Sequence, residues 1–165
     1  MTSGAARGGG AEAAPAPEPV GGRCPALLGS WRGTHRLRRT EAEPWRESPV
    51  DLVVRSAAAG LALVVDYAWE EPAGAAQHGL LVVTAEEGAS VVAAWVDTWH
   101  QRQPRLDCAG SLDPEVGLEL TGGYADEAHW RIVLAPRERG LHLEMHDLVE
   151  GRASLVVEGD LEREE

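Results

Sequence analysis

The residues best suited to chemistry lie in Ser90–His100, SVVAAWVDTWH, where Asp97 stands between Trp95 and Trp99. In a strand, period-two alternation puts Val91, Ala93, Trp95, Asp97 and Trp99 on one face. Two indoles flanking a carboxylate do not make a solvated surface, so this face must enter an enclosed space with Asp97 as its polar group. Burial would raise the Asp97 pKa unless a cation or a hydrogen bond opposed it. Such a carboxylate could act as a general base or anchor a ligand. Tyr67 and Trp69 from Asp66–Trp69, together with Trp130, would complete an aromatic lining. His35, expected to point inward, is the natural partner of Asp97. The competing reading is that the rings fill the interior and Asp97 is satisfied by a backbone or arginine hydrogen bond.

A second group, HLEMH, sets His142, Glu144 and His146 at alternate positions. In a strand, residues i and i+4 are roughly 13 Å apart, too far for both histidines to reach one ion at about 2 Å. A neighbouring pair would need help from another strand. The spacing also differs from the helical H-E-x-x-H zinc motif. The expectation is no metal site. The two cysteines, Cys24 and Cys108, make no disulfide framework and read as free thiols of a reducing compartment. A buried Cys108 would be a small inert hydrophobe. The chain has no lysine, which excludes Schiff-base chemistry and a Walker-A phosphate loop, and it has no G-x-S-x-G elbow or C-x-x-C pair.

The 165 residues carry a formal net charge of −12, which argues against nucleic-acid or anionic-membrane partners. All basic side chains are arginine, and Asn and Phe are absent, a bias typical of a GC-rich, bacterial genome. The N-terminal segment lacks the continuous apolar core of a signal peptide, and no run approaches a membrane-span length. The protein is therefore expected to be cytoplasmic.

Positioning such residues requires strands. Residues 1–22 are Gly/Ala/Pro-rich and read as a disordered arm, with one domain over residues 23–165 that opens on a short helical turn at PALLGSW. About ten strands at 8–12-residue spacing follow: Ser30–Thr40, Glu47–Ala57, Leu61–Glu70, Gly79–Ala85, Ala89–His100, Arg105–Gly110, Glu115–Thr121, Ala128–Ala135, Gly140–Leu148 and Ala153–Glu162. Alternation predicts inward faces made by Leu61, Leu63, Val65, Tyr67 and Trp69, by Val116, Leu118 and Leu120, and by Trp130, Ile132 and Leu134. Trp31, His35 and Leu37 are expected inside, with Arg32, Arg36 and Arg38 outside. The last strand turns Glu158, Asp160 and Glu162 outward. A row of arginines beside a row of acids predicts that the first and last strands pair and close an all-β, mostly antiparallel barrel.

LLGSWRGTH at Leu27–His35 resembles the L-x-G-x-W-x-G opening of lipocalin-like (calycin) barrels, distantly similar to the fatty-acid-binding proteins. WRES at Trp45–Ser48, DYAW at Asp66–Trp69, HGLLVV at His78–Val83, AAWVDTWH at Ala93–His100 and HWRIVL at His129–Leu134 resemble a bacterial lipocalin-like domain family of unknown function. The resemblance implies a β-barrel with an internal cavity and no particular activity; Trp31 would plug one end against the final strand. The first strand is also similar to that of nitrobindin, a barrel that holds haem through a last-strand histidine in an H-L-x-A-x-L pattern. Here Val156 stands at that position. Haem is not carried over, and no cofactor is expected.

The function expected from these features is binding of a small, partly apolar molecule inside the barrel, by Tyr67, Trp69, Trp95, Asp97, Trp99, Trp130 and His35. The alternatives are an isomerase or hydrolase using Asp97 and His35 as an acid–base pair, and a ligand-free structural or interaction module that could form a homodimer.

Overall fold

A computed structural model describes residues 19–71, 74–99 and 105–165. Ten strands make one closed antiparallel barrel: β1 (Gly29–Leu37), β2 (Arg46–Ala57), β3 (Ala62–Glu70), β4 (Ala76–Ala85), β5 (Ser90–Asp97), β6 (Leu106–Asp113), β7 (Gly117–Ala125), β8 (Ala128–Arg137), β9 (Gly140–Val149) and β10 (Arg152–Arg163). Each strand pairs with the next, and β10 returns to β1. Closure leaves no exposed ladder.

The expected closing pair is present. Arg36 lies opposite Glu158 and bonds to it, and Arg32 lies opposite Glu162. Arg32, however, takes its ion pairs from Asp51 and Glu164, and Arg38 donates to the Leu155 carbonyl.

The strands follow the sequence alternation because it supplies one apolar residue per pleat to a shared interior. Leu52, Leu63, Leu81, Trp95, Leu118, Leu120, Ile132, Leu134, Leu141 and Leu161 are all fully buried there. Turn chemistry sets the hairpins. Glu150 and Gly151, both at positive φ, join β9 to β10. Between β6 and β7, Asp113 Oδ1 accepts from the Glu115 and Val116 amides.

Several expectations need correction. Leu61 and Val116 were assigned to the interior but are 41% and 64% exposed, because each belongs to a turn ahead of its strand. The strand expected at Ala89–His100 ends at Asp97; Trp99 follows it in a turn, and His100 lies outside the described residues. The packed chain begins before Cys24: the Val20 and Gly21 amides donate to Gly60 O, and Val20 is fully buried. One valine in a Gly/Pro-rich stretch is enough to anchor it, since its burial stabilises by about 1.5–3 kcal/mol. The rest of the expected arm, residues 1–18, lies outside the described residues. The expected turn at PALLGSW is a 3₁₀ turn at Pro25–Leu27. Leu27 O accepts from Trp31 Nε1 at 2.9 Å, and the Arg163 guanidinium covers the Trp31 ring.

Among the described residues, no helix is long and apolar enough to cross a membrane.

Candidate functional site

Three neighbouring strands build the polar centre of the interior. On β3, β4 and β5, Tyr67, Gly79 and Asp97 lie directly opposite one another. A β-carbon on Gly79 would sit 1.9 Å from the Tyr67 ring. The missing side chain therefore lets the phenol cross β4 and donate to Asp97 Oδ2 at 2.5 Å. Trp95, two residues before Asp97 on the same face, donates from Nε1 to the Tyr67 hydroxyl at 2.9 Å. Asp97 Oδ1 accepts from the Trp99 amide at 2.7 Å. This side-chain-to-backbone bond competes with the ladder and ends β5. The chain turn that follows brings Trp99 against Trp69.

The aromatic residues continue from this centre in two directions. Trp69 packs edge-on against both His35 and Trp99, at 5.1 and 5.2 Å between ring centres. Trp95 packs edge-on against Trp130 at 6.3 Å, and Trp130 stacks at a tilt on Tyr124, which donates to Asp147. The seven residues expected in the site are thus brought into one continuous set, with Trp99 and Trp130 half-buried at its ends. Asp97 meets Tyr67 and Trp99, while His35 packs on Trp69. Sequence reasoning missed Gly79, although a glycine inside a strand pattern signals the close approach of another group.

Burial and the Asp97 charge beside it push the Tyr67 phenol well above its ordinary range. Asp97 accepts through both oxygens, and neither it nor Trp95 borders the interior cavity. This geometry orients a carboxylate in an apolar interior.

The cavity has a volume of about 10 Å³ and lies between His35, Tyr67 and Trp69 on one side and Leu143, Met145 and Val157 on the other. That is room for about one water. A haem does not fit it, and Val156, buried where the β9–β10 register slips between Leu155 and Val157, offers no donor atom.

His142, Glu144 and His146 lie on the outer face of β9, as expected, but are not simply solvated. His142 is only 9% exposed. Its Nδ1 lies 2.7 Å from Asp160 Oδ1 and its Nε2 lies 3.0 Å from Glu144 Oε1, while His146 Nε2 lies 2.9 Å from the second Glu144 oxygen. Both cysteines are buried and free.

No family model matches the chain, and no curated protein matches it. Among solved structures, the chain is similar to the crystal structure of Rv2717c from M. tuberculosis, with a TM-score of 0.64 and 17% identity, over 86% of this chain and 94% of that one. At that identity the likeness is one of fold.

Proposed function

We propose that the protein is a non-catalytic barrel that takes a small, partly apolar molecule into the end of its interior beside His35, Tyr67 and Trp69. The observation that carries this reading is the gathering of buried polar groups at one place in an otherwise apolar interior. A buried carboxylate, phenol and imidazole are costly to a purely structural core, even when hydrogen-bonded. The phenol and the imidazole border the cavity, with the carboxylate behind the phenol, and Trp69 on the cavity packs against Trp99 on a surface dent lined by Leu37, Arg39, Glu43 and Trp99. With about 10 Å³ available, a guest larger than water needs side chains to yield. Met145, unbranched and with three rotatable bonds, is the one best able to do so. The composition and the two free thiols support a bacterial, cytoplasmic protein.

The size of the cavity favours a second reading, a ligand-free structural or interaction module with a filled barrel. Tryptophan emission during titration with small aromatic and aliphatic probes separates the two. Ligand binding predicts a saturable one-to-one change that tightens in Met145→Ala, where the seat is enlarged. A flat response in both proteins across chemically diverse probes would leave the filled module as the function.

A further inference from the structure

We propose that the outer face of the β9–β10 ladder is a binding site for a divalent transition-metal ion of the zinc type, held by His142, Glu144 and Glu158. This site is independent of the interior and of the ligand reading given to it. Glu144 on β9 lies directly opposite Glu158 on β10, and His142 directly opposite Asp160. One ligand atom from each of His142, Glu144 and Glu158 lies within 4.8 Å of the others. Donors around a tetrahedral zinc at about 2.0–2.2 Å lie about 3.3–3.6 Å apart, so side-chain rotations that move the ligand atoms by about an ångström close the site.

Three features favour a cation there. Like charges placed directly opposite on a sheet repel, and Glu144 and Glu158 are such a pair. Both are half-buried; Arg36 bonds to Glu158 Oε2 from β1, while Glu144 lies against the rings of His142 and His146. His142 is also held as metal-ligating histidines are. Both ring nitrogens face carboxylates, and a neutral imidazole donates to only one of them; with Nδ1–H on Asp160, the Nε2 lone pair is turned toward Glu144. Two acceptors 3.0 Å apart then need a cation between them, either a proton or a metal ion. Finally, Glu158 and Asp160 line a solvent-open groove of about 540 Å³ together with Arg36, which gives an ion its entry.

One imidazole and two carboxylates suit zinc, cobalt or nickel better than the all-oxygen preference of calcium or magnesium. With a neutral imidazole, the two carboxylates balance a dication. The expectation of no metal site rested on the distance between His142 and His146. That distance is beside the point once the third ligand comes from β10 and His146 serves to hold Glu144 in place.

The test uses the full chain, stripped with chelator, and zinc alone as the probe in competition with a chromophoric chelator. We expect one zinc per chain. Glu158→Gln and Glu144→Gln should each weaken it by about tenfold or more, and His129→Ala, an exposed histidine elsewhere, should leave it unchanged. Glu158→Gln is near-isosteric and keeps a side-chain oxygen to accept from Arg36, and urea unfolding of the variant checks that the barrel still closes. No saturable binding at micromolar zinc, or an affinity indifferent to Glu158→Gln and Glu144→Gln, would overturn the proposal.

Discussion

Tyr67 reaches Asp97 across an intervening strand, over a glycine that lies directly opposite both. The contact spans two strand spacings, about 9.6 Å of sheet. It depends on register as much as on residue type. Because both groups are buried, the contact is a stability element first, whatever the interior binds.

Tyr67→Phe tests its weight. The variant keeps the ring and its packing but removes a donor to Asp97 and the acceptor used by Trp95 Nε1. Hydrogen bonds to charged groups contribute about 1.5–3 kcal/mol, and a buried carboxylate left short of a donor carries the desolvation cost. We expect a loss of about 2–3 kcal/mol in urea unfolding at unchanged m-value. A loss under about 0.5 kcal/mol would mean that Asp97 is satisfied without the phenol.

The chain has two tyrosines, and both should titrate late. Burial, with Asp147 beside it, pushes Tyr124 up to about 12, and Tyr67 lies well above its usual 10. Folded-state values above the unfolded ones mean a contribution that is full below about pH 10 and lost as pH rises through about 12. Phenolate absorbance should therefore stay flat through pH 10 and rise together with unfolding. Separate ionisation of one phenol near pH 10 in the folded protein would contradict the assigned environments.

The thiols give an independent probe of the same packing. Burial, followed by the nearby Asp107 charge, pushes Cys108 up to about 11, and burial also raises Cys24 above its ordinary value. At pH 8 a thiol of pKa about 11 is ionised about a hundredfold less than an ordinary one. Disulfide-exchange reagents should modify both cysteines promptly in urea and Cys108 last in the native protein. Prompt native modification of Cys108 would show that the β6 face opens.

The barrel was legible because its signals are local. Alternation, turn residues and opposed rows of arginine and acid each act within one strand or between strands that the alternation identifies. Closure followed from Arg36 and Glu158 without any long-range information. The Tyr67–Asp97 bond was not legible, because it depends on which residue lies between the two strands. The end of β5 was missed for a related reason: Asp97 satisfies itself on its own downstream amide, a choice alternation does not encode. Val20 was hidden by its neighbours, since composition averages over the one side chain that packs. The His142–Glu144–Glu158 grouping was half visible, as two of its members lie on one strand and the third is supplied by register.

Gly79 is where that register can be tested directly. Alanine at a strand glycine ordinarily gains about 0.5–1 kcal/mol from the backbone. Here its β-carbon would fall 1.9 Å from the Tyr67 ring, so the ring must leave its seat and with it the bond to Asp97. Overpacking of this kind costs about 1–3 kcal/mol, to which the lost hydrogen bond is added. We expect Gly79→Ala to destabilise by about 3 kcal/mol in the wild-type background and by far less, or not at all, in Tyr67→Ala, where the ring is gone. The double-mutant cycle should therefore give a coupling of about 2 kcal/mol or more between residues on adjacent strands. If the two losses add instead, Gly79 matters for some reason other than the passage of Tyr67 to Asp97.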